Sequence, residues 1–305
     1  MSAPVAVSET RPEESGWELR EGDEIVAGRT AIKLLGGGLR YEAYLAWDDH
    51  LRVLVVLKVV RPALVDDERT LNGLASEIEL LQRLSHPVIV RSFGHDLDGT
   101  RPFVALEHLE GPRLSSLLRR YGPLTVEQAV PLALQLSAAA HYLEGEGVAH
   151  LDIKPSNIIM GGPPRLIDLS VARTHEQCRE LTSPVGTDAY MAPEQCLPRA
   201  GPSPGAASDV WGIGATLFRA VADARAFAGG DSESEVAGER WPQLEAPPLP
   251  LPDHVGPAVA EPILDCLEFD PAKRPSAAAV ADRLEPVLGA LPKPRLSKLK
   301  PRIRR

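Results

Sequence analysis

From His150 to Asn157 the chain runs His-Leu-Asp-Ile-Lys-Pro-Ser-Asn, and a second carboxylate, Asp168, follows after two short apolar runs. Those runs, Ile158-Ile159-Met160 and Arg165-Leu166-Ile167, flank Gly161-Gly162-Pro163-Pro164, the pattern of two strands joined by a tight turn. Such a hairpin carries Asp168 back beside Asn157. Asp152 and Lys154 lie two apart, so an extended loop points both the same way. A lone aspartate in a loop is a turn former or a helix cap. Two carboxylates, a lysine and a carboxamide returned to one place are a far narrower demand on the fold. A hard cation, Mg²⁺ or Mn²⁺, shared by carboxylate, carboxamide and phosphate oxygens is the expected occupant.

The upstream half makes an independent demand. Val53-Leu54-Val55-Val56-Leu57-Lys58-Val59-Val60 is an apolar, β-branched run with one lysine set in it, the signal of a buried strand. An ammonium buried without a partner loses its proton, so Lys58 needs anions. Leu74, Ile78, Leu81 and Leu84 form a helical stripe with Glu77 and Glu79 off it. Periodicity alone leaves both glutamates open to a solvated role. Gly36-Gly37-Gly38 sits between an apolar strand and Tyr44-Leu45-Ala46-Trp47, a strand–turn–strand setting unlike that of a dinucleotide or Walker site. A glycine-rich turn is by itself only a hairpin needing positive φ.

Over about residues 24–288 the chain resembles the bacterial-type Ser/Thr protein kinases. The likeness rests on Asp152-Ile153-Lys154-Pro155-Ser156-Asn157, Asp168-Leu169-Ser170, Ala192-Pro193-Glu194, Ser208-Asp209-Val210-Trp211-Gly212 and Asp270 to Pro275, in the family's order. It implies an α+β, two-lobed protein kinase fold, with a small antiparallel β lobe and one helix over about 24–106 and a larger, mainly helical lobe over about 112–288. It implies ATP with Mg²⁺ or Mn²⁺ as cofactors and transfer of the γ-phosphoryl group to a Ser/Thr hydroxyl of a protein substrate. Asp152, Lys154, Lys58 and Glu77 take the catalytic places, Glu77 by its spacing from His86-Pro87. Gly36, Gly37, Gly38, Ala43, Val56, Lys58, Leu106 as gatekeeper, Glu107, Leu109, Asn157 and Asp168 take the nucleotide places. Asn157 and Asp168 are the metal ligands. The resemblance makes Asp209 a brace for the catalytic loop and pairs Arg274 with Glu194.

The chain departs from the pattern at Leu151 for arginine, Leu169-Ser170 for Phe-Gly, and Tyr41 for the third glycine. None removes a phosphate, metal or hydroxyl contact. Because Leu151 cannot grip a phosphate, the enzyme is expected to work without phosphorylation of the segment between Asp168 and Glu194. Ala43 and Val56 exchange bulk relative to the family, a compensated pair over the adenine. A pseudokinase acting as a nucleotide-binding scaffold is the main rival. A small-molecule kinase is the second, and Gly186 to Glu194, a peptide-docking segment in the family, speaks against it.

With 305 residues, 44% hydrophobic and 25% charged, the chain suits one globular enzyme. Cys178, Cys196 and Cys266 show no ligand spacing, which fits a reducing cytoplasm. Neither a signal segment nor an apolar run of membrane-spanning length is present. Residues 1–23 are polar and expected to be disordered. Residues 289–305 form a basic tail; the stretch 293–305 holds seven of the 33 basic residues and no acid, leaving 26 bases against 42 acids elsewhere. A solvated end is the plainer reading, and contact with nucleic acid or anionic lipid the lesser one. Helices are expected over Val126–Leu143 and Ala206–Ala222, with two more at the end, and the proline-rich stretches 198–204 and 242–257 as surface loops. The substrate, the activating signal and the oligomeric state leave no mark in the sequence.

Overall fold

A computed structural model describes residues 16–292. Its N-terminal lobe is built on a six-stranded antiparallel sheet: β1 (Glu24–Val26), β2 (Arg29–Gly37), β3 (Tyr41–Asp48), β4 (Val53–Val60), β5 (Ser92–Asp96) and β6 (Phe103–Glu107), in the order β1-β2-β3-β4-β6-β5. The alternation of β4 decides what faces where. Val55, Leu57 and Val59 are buried in one apolar cluster with Tyr44, Phe103 and Ala105, so period two turns Val56 and Lys58 to the opposite face.

Helix α1 runs Glu68–Arg83, starting earlier than the apolar stripe suggested. The Asp67 side chain accepts from the Thr70 backbone N–H at 2.8 Å and caps a first turn that carries little of the stripe. Leu74, Ile78 and Leu81 are buried as expected, and so is Glu77, whereas Glu79 is exposed.

The polar N-terminal segment needs correction. Trp17 donates its backbone N–H to Glu42 at 3.1 Å and its indole N–H to the Val60 carbonyl at 2.8 Å, while the Arg101 guanidinium lies 4.7 Å over its ring. An aromatic ring that covers the small-lobe core and has its polar atom partnered fixes residues 16–23 in place. The expectations for residues 1–15 and for the stretch 293–305 lie outside the described residues.

The larger lobe comprises α2 (Leu114–Tyr121), α3 (Val126–Gly145), β7 (Val148–Ala149), β8 (Ile158–Ile159), β9 (Arg165–Leu166), β10 (Arg173–Thr174), α4 (His175–Arg179), α5 (Pro193–Cys196), α6 (Ala206–Ala222), α7 (Ala237–Arg240), α8 (Pro257–Asp265) and α9 (Ala277–Ala290). Strands β8 and β9 pair antiparallel through Ile158–Leu166 and Ile159–Arg165, the hairpin expected from the sequence. Helix α6 is buried along nearly its whole length. A Cβ on Gly212 would come within 3.1 Å of Ile153, and one on Gly214 within 2.6 Å of Cys266. Glycines there let α6 press against the catalytic loop on one side and α8 on the other. The three thiols are buried and free, and burial raises all of them, Cys178 to about 11 and Cys266 to about 12.

Candidate nucleotide and phosphotransfer site

Between the lobes lies a cavity of about 590 Å³. Its roof is the sheet face that carries Val56 and Lys58. In register Ala43 opposes Lys58 and Leu45 opposes Val56, so Ala43 and Val56 are diagonal neighbours, both lining the roof. Ile159 and Ile167, from the hairpin strands and the residue after them, line the opposite side. Leu106, His108, Leu109 and Gly111 form the wall where the chain leaves β6. Glu107 lines the cavity too, but its buried carboxylate is committed elsewhere: it takes the Arg91 guanidinium at 3.0 Å and that of Arg165. What Glu107 offers a ligand is therefore its backbone. Its side chain ties the wall to the large lobe.

Lys58 meets both Glu77 oxygens, at 2.7 and 2.9 Å, and Asp168 Oδ1 at 3.1 Å. Burial opposes the charge on Lys58, yet the two carboxylates outweigh it and hold the ammonium above the ordinary lysine range. Burial pushes Glu77 up against the pull of Lys58. For Asp168, burial is overridden by Lys58, which keeps the carboxyl well below the usual range. Asp168 sits at φ 70°, a strained setting for a non-glycine residue, with its side chain 39% exposed toward the cavity.

Tyr41 explains how the lid dispenses with a third glycine. Its ring lies 4.7 Å from Lys58 Nζ, and its hydroxyl donates to the Thr70 carbonyl of α1 at 3.2 Å. The lid itself is a tight turn: Gly38 N–H donates to the Tyr41 carbonyl at 3.0 Å, and a Cβ on Gly37 would stand 2.7 Å from that oxygen. One tyrosine thus links lid, lysine and helix.

The second cluster sits on the catalytic loop. Asp152 Oδ2 pairs with Lys154 Nζ at 2.7 Å. The Thr187 hydroxyl accepts from Lys154 and donates to Asp152 Oδ1 at 2.7 Å. Asn157 Nδ2 lies 3.0 Å from both the Asp152 carbonyl and Oδ2. Both partners are acceptors, so the amide nitrogen must face them, and the amide oxygen is left for a cation. Ile167 N–H donates to the Asn157 carbonyl at 2.8 Å, fixing the backbone beside Asp168 to that of Asn157. Among the described residues no three His, Cys, Asp or Glu side chains form a metal cage. A pair of oxygen ligands completed by phosphate is the way Mg²⁺ is commonly held, so Asp168 and Asn157 fit that ion.

Supports for this loop are buried. Asp209 accepts the backbone N–H groups of His150 and Leu151 at 2.7 and 2.8 Å. Burial raises its carboxyl to about 7 against those donors. Leu151, at φ 63°, packs with Ala149, Cys178, Leu181 and Val185. Gln195 Nε2 joins the Leu151 and Val185 carbonyls at 2.8 Å each. Leu169 is buried in the main core. Glu194 and Arg274 form a two-pronged pair at 2.7 and 2.8 Å with side chains 2% and 0% exposed.

Every residue expected at the site thus lies in the cavity wall or on the catalytic loop. Missed were Thr187, on the segment between Asp168 and Glu194, and Tyr41, which the sequence shows only as a departure from the third glycine. Neither carries a local signal, because each acts on residues distant in the chain.

A strand lysine held by a helix glutamate, facing one carboxylate across a cleft and a carboxylate–lysine pair on the loop below, defines a protein kinase fold and site. The chain belongs to that family: the model of the protein kinase domain matches residues 29–283. It is similar to the DNA damage-responsive serine/threonine-protein kinase RqkA of Deinococcus radiodurans, 34% identical over 264 residues covering 82% of this chain and 37% of that protein. Serine/threonine-protein kinase pkn3 of Myxococcus xanthus is 32% identical over 84% of this chain and 50% of its own length. PknA of Mycobacterium tuberculosis is 29% identical over 90% and 65%. The chain therefore spans from about a third to two thirds of these relatives.

Proposed function

We propose that this chain is an ATP-dependent Ser/Thr protein kinase that uses Mg²⁺ or Mn²⁺ and works in the cytoplasm on a protein substrate. The observation that carries the reading is the joint placement of Lys58, Glu77 and Asp168 at the cavity and of Asp152 and Lys154 on a threonine hydroxyl. Metal-bound ATP supplies the transferable phosphoryl group; little covalent help is asked of the protein. Lys58, kept charged by Glu77, neutralises phosphate oxygens. Asp168 and the amide oxygen of Asn157 would hold the cation, which would neutralise charge on the phosphates. Asp152 orients the acceptor hydroxyl and takes its proton, and Lys154 stands over the charge that develops there. A nucleotide-binding scaffold has no use for a loop aspartate and lysine that converge on a hydroxyl. The named functions of the relatives point the same way.

Purified protein with labelled ATP and Mg²⁺ or Mn²⁺ is the direct test. Asp152→Ala should lower phosphotransfer by roughly 10²–10⁴-fold while nucleotide still binds. Equal transfer by the variant and the native chain would remove Asp152 from the chemistry.

Leu151 further supports activity without a phosphate on the activation segment. A phosphate at Thr182 or Ser183 would ordinarily be gripped by an arginine at residue 151. Here an apolar cluster and the Gln195 bonds hold the segment instead. Phosphatase-treated enzyme should keep most of its activity toward a generic substrate. A tenfold loss restored by rephosphorylation would show that another cation has taken the role.

A further inference from the structure

Beside the catalytic loop, and outside the nucleotide cavity, the large lobe opens a second hollow of about 550 Å³. Pro155, next to Lys154, lines it, as do Tyr190 of the activation segment and Arg119, Arg219, Arg225 and Asp223. A further hollow of about 510 Å³ shares Arg225 as a wall and is lined by Thr187, Asp188 and Arg240. The two together make a groove running past Thr187, the residue whose hydroxyl bonds to Asp152. Tyr190 N–H donates to the Thr187 carbonyl at 2.7 Å, so both walls belong to one turn of chain.

The charges in this groove are not balanced. Arg219 is paired with Asp223 at 2.6 Å and Arg240 with Asp188 at 3.1 Å. Arg119, in the last turn of α2, and Arg225, just after α6, make no ion pair with any carboxylate among the described residues. Arg225 and Arg219 are near enough to Tyr190 to pull its hydroxyl down against its burial, so the positive charge reaches the activation segment. Outside the basic tail the chain is strongly acidic. Two unpaired arginines meeting at the acceptor side of an acidic molecule are a local reversal of its charge. A planar guanidinium fork suits carboxylate and phosphate oxygens, and a partly enclosed hollow strengthens the attraction over that at a flat surface.

We propose that Arg119, Arg219 and Arg225 recognise an anionic side chain, carboxylate or phosphate, of the peptide whose hydroxyl is presented to Asp152. The inference rests on the kinase reading above and adds a substrate class to it: acidic or already phosphorylated segments. Exposed arginines of this kind change capture more than chemistry, so the effect falls on KM and on its salt dependence. Asp223 and Asp188 each occupy one arginine, which leaves Arg119 and Arg225 to carry the groove's excess positive charge.

The test compares serine peptides that differ only in flanking residues, with Glu, Gln, Lys or phosphoserine placed before and after the acceptor. The native chain should favour Glu or phosphoserine peptides over Gln peptides by about tenfold in kcat/KM at low salt. Which of the two leads names the source of the anion. Replacing both unpaired arginines, Arg119→Glu with Arg225→Glu, should abolish that ratio and raise Lys peptides above Glu peptides, with KM for ATP unmoved. A gain on the Lys peptide cannot arise from poor folding. Equal use of Glu and Gln peptides by the native chain, or an unchanged ratio in the double variant, overturns the proposal. Fluorescence anisotropy of the same labelled peptides supplies a readout independent of transfer. If no peptide is phosphorylated but Glu peptides bind more tightly than Gln peptides and lose that advantage in the double variant, the groove stands and the kinase reading falls. Equal binding of all peptides overturns the groove.

Discussion

Two buried ion clusters separate the roles of charge in this molecule. Arg274 and Glu194 meet with both side chains almost fully sealed, and the guanidinium also donates to the carbonyls of Glu268, Ala207 and Phe269 while lying 5.0 Å over Trp211. Each bond is spent within the protein. Lys58 is also largely buried, and its partner Asp168 opens into the nucleotide cavity. The first cluster is complete and holds the activation segment's end to the large lobe. The second keeps an ionised carboxylate turned toward the open space between the lobes. A sealed pair is architecture; a pair with one open face is a site.

That contrast breaks first at its sealed side. Arg274→Ala should cost about 3–5 kcal/mol of stability, because Glu194 is left buried without a counter-charge. Replacing both residues with apolar ones of similar volume should recover much of the loss. At the open side, Asp168→Asn should leave the melting temperature near its native value, since Lys58 keeps Glu77 as its buried partner, while phosphotransfer falls by roughly 10²–10³, the usual worth of one preorganised electrostatic contact. Thermal melts and labelled-ATP assays on the two variants check both halves. Similar melting losses from both would erase the distinction.

Asp209 sharpens the comparison, since it is a sealed carboxylate with backbone donors in place of a cation. Its carboxyl is raised to about 7 in the fold, above the ordinary aspartate value. The stability it adds is therefore fully present below about pH 4 and is lost as pH rises to about 7, with a limiting slope of about 1.4 kcal/mol per pH unit. The advantage of the native chain over Asp209→Asn in denaturant melts should shrink across that window and level off above it. A constant gap would show that the two N–H donors keep Asp209 ionised throughout.

The smallest effect is expected at the roof. Val56→Ala should weaken ATP binding by about 1 kcal/mol through lost contact, and Ala43→Val added to it should restore much of that, since two residues sharing one cavity are coupled. Nucleotide titration of the four-member cycle decides it. Simple additivity would mean that Ala43 and Val56 do not share the load.

The long helices and the hairpin were legible because they are local. A single lysine in the apolar run of β4 marked a buried strand with a charge to satisfy, and helical spacing placed Leu74, Ile78 and Leu81 inside. The start of α1 was not, because its first turn carries few of the apolar residues that mark the stripe and is set by a single cap at Asp67. Trp17 shows the same limit: a polar segment with one aromatic reads as loose until the surface it covers is known. Glu77 and Glu79 could not be told apart by period, only by the resemblance, and the structure buries the first and exposes the second.

By itself the sequence determined the inventory of chemistry and its local directions: which residues could hold a cation, which strand carried a charge inward, which turn returned Asp168 to Asn157. Tertiary structure decided the partners. Thr187 between Asp152 and Lys154, Tyr41 between Lys58 and Thr70, Arg165 on Glu107, and the unpaired arginines beside Pro155 all join residues far apart in the chain. Spacing fixes periodicity within one element. Contacts between elements depend on how their faces pack and which polar atoms that packing leaves unsatisfied, and no local pattern encodes that.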